Sequence, residues 1–172
     1  MPMRKLALLL PLLLSACITD EPQGGAPMPL VNGAGQTIGT VRAWQTAGGI
    51  SFRINASGLP HGVHGIHVHP IGRCDPPDFA SAGTHWNPQN RQHGLGNPLG
   101  PHAGDMPNVT VAANGVLSET VILANATLAE LVDADGASIL LHANADDYVS
   151  QPSGNSGAKI ACAVIRPDAE YR

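Results

Sequence analysis

Histidine is concentrated in the middle of this 172-residue chain, where seven of the eight histidines lie between residues 61 and 102. The eighth is His142. Clusters of this kind are typical of metal sites, because neutral imidazole nitrogen is a common protein ligand of transition metals. A histidine taken alone is more often a solvated loop residue or a hydrogen-bonded core residue. The prediction of a metal site therefore depends on the whole set and on its spacing.

The histidines fall into two groups that suit different metals. Within 21 residues the chain supplies three imidazoles and one carboxylate, a set suited to a closed tetrahedral zinc site: His85, His93, His102 and Asp105. Upstream, His67 and His69 are two residues apart in an apolar run, where the period of a β-strand places both rings on one face. With His142 they suit copper, which accepts nitrogen ligands in tetragonal geometry and cycles between two oxidation states.

Short apolar or alternating runs surround these residues and predict β-strands. They cover residues 40–45, 50–56, 65–69, 109–112, 116–123, 138–142 and 161–165. Asn114-Gly115 between two of the runs is a strong hairpin signal. The predicted fold class is all-β and mostly antiparallel, a sandwich or barrel. Thr127 and Glu130 form a capping-box pattern that predicts one short helical turn ending near Gly136.

Two long segments, residues 70–108 and 144–157, are rich in glycine, proline and asparagine and do not match a strand pattern. Loops of this length inside a compact domain are usually functional or disordered. The histidines of the first loop favour function.

The N-terminus predicts export. Arg4 and Lys5 precede an apolar run that is too short to span a bilayer, and small residues then lead to Cys17. Residues 14–17 resemble the bacterial lipobox, in which the cysteine carries lipid; the alternative is an ordinary signal peptide cut near a chance cysteine. We assign residues 1–16 to the signal peptide, 17–30 to a flexible tether and 31–172 to one domain.

Charge and cysteine content agree with an exported protein. Without Arg4 and Lys5, seven basic side chains face thirteen acidic ones, a net charge of −6 that is a poor match for nucleic acid. With Cys17 assigned to lipid, Cys74 and Cys162 remain. An even remainder in an oxidising compartment suggests one disulfide, and two free buried thiols are the alternative.

Six separated motifs resemble the copper,zinc superoxide dismutase family over roughly residues 30–167. They are HGIHVH at 64–69, AGTHWNP at 82–88, RQHG at 91–94, HAGD at 102–105, LHANADD at 141–147 and ACAVI at 161–165. The resemblance implies a Greek-key β-sandwich or flattened barrel with two long functional loops.

The resemblance also implies a role for each site residue. Copper would be held by His67, His69, His85 and His142. Zinc would be held by His85, His93, His102 and Asp105, so that His85 bridges the two metals. Asp146 would accept hydrogen bonds from His67 and His93, and Cys74 and Cys162 would form the family's disulfide. His64 is expected to pack or to fix a loop, and His61 to be exposed.

The activity implied is dismutation of superoxide to oxygen and hydrogen peroxide, by alternate reduction and reoxidation of copper, with zinc structural and His85 helping to deliver a proton. The family's anion-guiding arginine is replaced here by Lys159, which keeps the charge but loses the planar fork. We expect activity to survive with a slower or more salt-sensitive encounter. Two alternatives are a non-enzymatic copper- and zinc-binding module of the same fold and a structural adhesion module, although the latter needs no buried imidazoles.

The expected location is the bacterial cell envelope, with the protein held on a lipid membrane through acylated Cys17. The outer membrane, facing the periplasm, is preferred because Ile18 is not the aspartate often linked to inner-membrane retention. Bacterial members of the family include monomers and homodimers, and the sequence favours neither.

Overall fold

The computed structural model of the chain describes residues 25–166. The predicted signal peptide, the predicted lipidation at Cys17 and most of the predicted tether lie outside the described residues. Across residues 25–166 there is no helix with the length and apolar character needed to cross a membrane.

The described residues form nine strands and very little helix. The strands are β1 Met28–Asn32, β2 Thr37–Thr46, β3 Gly49–Ala56, β4 Gly62–His64, β5 Ile66–His69, β6 Val109–Val111, β7 Leu117–Ala124, β8 Ala137–His142 and β9 Lys159–Ile165. One helix, α1 Leu128–Leu131, and a 3₁₀ turn at Ala80–Ala82 complete the secondary structure. The all-β prediction is confirmed.

Seven strands form one curled sheet in the order β5-β8-β9-β1-β2-β3-β7, and β4 pairs with β6 in a second, two-stranded sheet. Neighbouring strands are antiparallel throughout. Strands that are distant in sequence become neighbours, since β1 pairs with β9 and β5 with β8. This connectivity is of the Greek-key kind that was predicted.

Side chains alternate between the core and the outer face of the sheet, as the two-residue period requires. On β3, Ile50, Phe52 and Ile54 are at most 2% exposed, and Phe52 is paired with Ala43 of β2. Burying each large apolar side chain stabilises the fold by roughly 1.5–3 kcal/mol. The core is therefore a firm support for β5 and β8, which carry metal-ligating residues.

Strand β5 shows how the sheet presents the histidines. Ile66 and Val68 point into the core, whereas His67 and His69 lie on the opposite face, paired with Leu140 and Ser138 of β8. Both rings are nevertheless at most 1% exposed, because the long loops cover this outer face. The loops thus bury a cluster of imidazoles that the strands alone would leave in water.

Three sequence predictions differ from the structure. Strand β1 begins at Met28, so the last three residues of the segment predicted as a tether belong to the sheet; the core buries Met28 and Leu30. Strand β4 was not predicted because Val63 is its only residue that favours a strand. The predicted capping box of Thr127 is present, but α1 ends at Leu131 and not near Gly136, because its C-cap is extended.

Cys74 and Cys162, which are 88 positions apart in sequence, form a disulfide, so the alternative of two free thiols is wrong. The bond connects the first long loop to β9. Because it closes a long loop of the unfolded chain, the double variant Cys74→Ser and Cys162→Ser is expected to lose about 4–5 kcal/mol of unfolding free energy. Urea unfolding of the metal-free protein, with and without reductant, measures this loss; a value under about 1 kcal/mol would contradict the loop-entropy argument.

Candidate metal centre

Three histidines of strands β5 and β8 are each fixed through one ring nitrogen. His67 donates from Nε2 to Asp146 Oδ2 at 2.7 Å, and His69 donates from Nδ1 to the Gly83 carbonyl at 2.9 Å. His142 donates from Nδ1 to the Gly157 carbonyl at 3.1 Å. Each bond sets the tautomer and the ring orientation, and each leaves the other nitrogen with its lone pair free.

The four buried histidine nitrogens that lack a hydrogen-bond partner among the described residues belong to one cluster: His67 Nδ1, His69 Nε2, His85 Nε2 and His142 Nε2. Leaving such an atom unpaired costs about 1–3 kcal/mol. His69, His85 and His142 offer ligand atoms within 4.8 Å of one another, and the His67 ring centroid lies 3.9 Å from that of His85. Converging imidazole lone pairs are the donors that copper accepts, so these residues fit a copper ion.

A second set of donors surrounds Asp105. Its Oδ1 lies 2.9 Å from His85 Nδ1, 3.1 Å from His93 Nδ1 and 3.4 Å from His102 Nδ1. The Nδ1 atoms of His85 and His102 are 3.3 Å apart. Ligand atoms at the corners of a tetrahedron around zinc are about 3.3 Å apart, so the second set fits zinc. The other carboxylate oxygen accepts the amides of Gly94 and His102, which fixes its orientation.

Two side chains connect the two sets of donors. His85 has Nδ1 beside Asp105 and Nε2 among the unpaired nitrogens of the first set. Asp146 accepts from His67 with one oxygen and, at 3.0 Å, from His93 Nε2 with the other. Gly154 covers this carboxylate so closely that a Cβ there would lie 1.7 Å from Oδ1, and its φ is +65°. Only glycine fits at that position.

Burial keeps His67 and His142 of the first set neutral, as metal binding requires. Burial lowers the pKa of His67 to about 4 and that of His142 to about 3. In the second set, burial alone would raise the pKa of Asp105, but hydrogen bonds from His85 and His93 hold it well below its usual value. At neutral pH, His67 and His142 are therefore neutral and Asp105 is ionised.

A family model described as copper/zinc superoxide dismutase (SODC) matches residues 37–165, most of the described chain. The chain belongs to the copper/zinc superoxide dismutase family. The family identified from the six motifs is thereby confirmed.

Individual relatives agree with this assignment. The protein named superoxide dismutase [Cu-Zn] 1 of Aquifex aeolicus is 42% identical over 143 residues, which cover 80% of this chain and 85% of the relative. The crystal structure of a SOD-like protein from Bacillus subtilis has a TM-score of 0.79 and 38% identity, covering 83% of this chain and 99% of that one. Cu/Zn superoxide dismutase from Brucella abortus has a TM-score of 0.71 and 32% identity over the same shares.

The structure brings together all seven side chains predicted as metal ligands in this superoxide dismutase family member. Proximity alone does not divide them, because an atom of His67 also lies within 4.8 Å of ligand atoms of His85, His93 and Asp105. The hydrogen bond from His67 Nε2 to Asp146 makes the division, since it leaves only Nδ1 for a metal. As predicted, His64 fixes a loop, with ring nitrogens 2.8 Å and 2.9 Å from the His142 and Pro60 carbonyls, and His61 is exposed.

Lys159, which stands where the family resemblance implies an arginine, opens β9 beside this site. Its Nζ donates to the carbonyls of Phe79 at 3.2 Å and Gly83 at 2.9 Å. Burial lowers its pKa, while nearby Asp78 acts in the opposite direction. Lys159 lines, with His69, His85 and His142, a channel of about 370 Å³. An ammonium has three donors, so one N–H remains for an anion in the channel.

Sequence reasoning missed the groups that hold these side chains in place. The carbonyls of Phe79 and Gly83 orient Lys159, and the side chains of Asn108 and Gln151 bond to the backbone of Asp146 and His93. Backbone carbonyls have no signature in sequence, and amide side chains in loops are too common to indicate a partner. Phe79, whose carbonyl accepts from Lys159, has a positive φ of 55° that only the structure reveals.

The pKa of His93 predicts how zinc affinity changes with pH. Burial alone would lower it, but hydrogen bonds to Asp105 and Asp146 raise the pKa to about 9, so the metal-free protein holds a proton on His93 below that pH. Zinc can take Nδ1 only after that proton has left. We therefore expect zinc affinity to rise about tenfold per pH unit between about pH 7 and 9, and then to level off.

Calorimetric titration of the metal-free protein with zinc, in buffers of different ionisation enthalpy, counts the released protons. About one proton per zinc ion is expected at neutral pH and none from His93 well above pH 9. A proton count near zero at neutral pH would show that His93 is already neutral in the metal-free protein.

Proposed function

We propose that this protein is a superoxide dismutase that converts two superoxide ions and two protons to oxygen and hydrogen peroxide, with copper and zinc as cofactors. The observation that carries the proposal is the set of four unpaired, buried imidazole nitrogens beside a channel that also contains the ammonium of Lys159. This arrangement combines a site for a redox metal with a means of attracting a small anion.

The donor atoms assign each metal to a set of residues. Copper would be held by His67 Nδ1 and by the Nε2 atoms of His69, His85 and His142. Zinc would be held by Asp105 Oδ1 and by the Nδ1 atoms of His85, His93 and His102. When bound, copper supplies a one-electron couple that superoxide reduces and reoxidises, and zinc supplies a fixed positive charge without redox chemistry.

The chain's own residues bind the anion and manage the proton. Lys159 attracts superoxide and orients it through its remaining N–H, while the Phe79 and Gly83 carbonyls keep the ammonium in place. His85 can hold a proton at Nε2, the nitrogen of its ring that belongs to the first set, while its Nδ1 stays beside Asp105. That proton is available to the peroxide that leaves. Because the imidazole rings of the first set are buried, molecules much larger than superoxide cannot contact them.

The direct test is superoxide decay catalysed by the purified protein after loading with copper and zinc and confirming the content of both metals. Rapid turnover that requires copper is the expected result, and protein loaded with zinc alone should be inactive. Fully loaded protein without turnover would instead identify a metal-binding module, the alternative that the sequence left open.

We also propose that Cys17 is lipidated and holds the enzyme on the bacterial envelope, at the outer membrane facing the periplasm. The signal-like N-terminus and the lipobox-like residues 14–17 support this location, and the Cys74–Cys162 disulfide suits an oxidising compartment. Labelling of wild-type protein, but not of a Cys17→Ser variant, with radioactive palmitate would test the lipid. Separation of the inner and outer membranes tests the location. Sedimentation of the purified protein distinguishes a monomer from a homodimer.

A further inference from the structure

The amide side chain of Gln151 holds the backbone of His93 across the two long loops. His93 donates its backbone N–H to Gln151 Oε1 at 2.9 Å, and Gln151 Nε2 donates back to the His93 carbonyl at 3.0 Å. The same Nε2 donates to the Val149 carbonyl at 3.0 Å, which fixes the amide within its own loop. A reciprocal pair of this kind fixes both the position and the rotation of the peptide that it holds.

Asn108 makes a similar pair of hydrogen bonds, but from the first long loop to the backbone of Asp146 in the second. Asp146 donates its backbone N–H to Asn108 Oδ1 at 2.9 Å, and Asn108 Nδ2 donates to the Asp146 carbonyl at 2.9 Å. The backbone N–H of Asn108 in turn donates to the hydroxyl of Tyr148 at 2.8 Å. Asn108 closes the first long loop and holds the second, whereas Gln151 belongs to the second loop and holds the first.

The two amides hold the two ends of one hydrogen bond. His93 Nε2 and Asp146 Oδ1 are 3.0 Å apart, with both side chains at most 1% exposed. The other carboxylate oxygen of Asp146, Oδ2, accepts from His67 Nε2 at 2.7 Å. Gln151 holds the peptide of His93, whose carbonyl also accepts from Asn97 Nδ2 at 3.0 Å, and Asn108 holds the peptide of Asp146. A shift of either peptide would strain the bond between His93 and Asp146 and move the His93 ring relative to the second set of donors. The amides therefore oppose the movement that would release a metal.

We propose that Gln151 and Asn108 are positioning residues of the metal pair, which act through the backbone of His93 and Asp146 to slow the departure of metal from the zinc set and to fix the ring of His67. This inference rests on the proposed assignment of that set to zinc. Outer partners of metal ligands typically change metal affinity by about 10–100-fold. We expect an effect at the lower end, because each amide acts at one step further from the metal.

Cobalt(II) in the zinc set, with copper in the other, is the probe for the test. Gln151→Met keeps the side-chain volume and removes the amide, and Asn108→Ala removes the second amide. Each variant is expected to release cobalt to a chelator about tenfold faster than the wild type and to change the copper(II) EPR spectrum. Asn155→Gly is the matched control, because Asn155 bonds only within its own loop, to Asp147 and Ser150, and glycine accepts its φ of 53°.

The double variant distinguishes joint action from separate loop stabilisation. Because both amides secure one hydrogen bond, losing the second should add little to the loss of the first, whereas independent effects multiply. Release rates within about twofold of the wild type, or a fall in Tm with unchanged release and EPR spectra, would overturn the inference. If the wild-type protein shows no tetrahedral cobalt absorption at all, the zinc assignment has failed and not the role of the amides.

Discussion

His85→Ala is expected to reduce dismutation by more than about 100-fold and to weaken the binding of both metals, a larger loss than any substitution of an outer partner. No other side chain of the described chain contributes one nitrogen beside Asp105 and a second to the unpaired cluster. Its removal takes one donor from each set at once. Metal analysis after dialysis and the rate of superoxide decay measure the two losses.

Two substitutions provide the comparison. His61→Ala removes an exposed imidazole outside both donor sets and should retain wild-type activity and metal content. His102→Ala removes a donor from the second set alone, so it should lose zinc while retaining much of its copper. Copper retention equal to the wild type in His85→Ala would show that His85 does not contribute to the first set.

Substitution of Lys159 is expected to have the second largest effect. Lys159→Gln removes the ammonium that lines the channel and should slow superoxide decay about tenfold at low ionic strength, because local positive potential raises encounter rates by about 10–10³-fold. The dependence of the rate on salt should become shallower, since the screened charge is gone. Pulse radiolysis over a range of ionic strength measures both quantities.

Lys159→Arg separates orientation from charge. A guanidinium can bind two carbonyls and still present a planar pair of N–H groups, so this variant should be faster than the wild type at low ionic strength. No gain in rate would refute the orientation argument. An unchanged rate and salt dependence in Lys159→Gln would refute the role of Lys159 in attracting the anion.

The ligand residues could be anticipated from sequence because each lies in a distinctive local pattern. His67 and His69 follow the two-residue period of β5, and His142 ends the run that became β8. Spacing and residue type separated a zinc set from a copper set, but the bridging role of His85 came from the family resemblance. The structure adds a physical reason for the division, since Asp146 occupies His67 Nε2 and leaves Nδ1, one of the four unpaired nitrogens, for a metal.

Features that depend on burial or on backbone contacts were not predictable. The core buries Met28 and Leu30, but Pro29 between them and the polar residues upstream obscured a strand. The amides of Gln151 and Asn108 pair with peptides 58 and 38 residues away, and no local pattern records such a partner. In both cases the deciding contact is tertiary. A short stretch of sequence contains only one of the two partners, so the contact cannot be predicted from it.

The carbonyl of Gly83 accepts from both His69 and Lys159, and this shared acceptor restricts how the surrounding loop can evolve. An insertion or deletion between Phe79 and Gly83 would disturb a metal ligand and the anion-attracting charge in the same mutational step. The neighbouring stretch 75–78 is exposed and makes neither contact. Among related proteins, insertions and deletions in this loop should therefore accumulate before Phe79, where they leave both contacts of the Gly83 carbonyl intact.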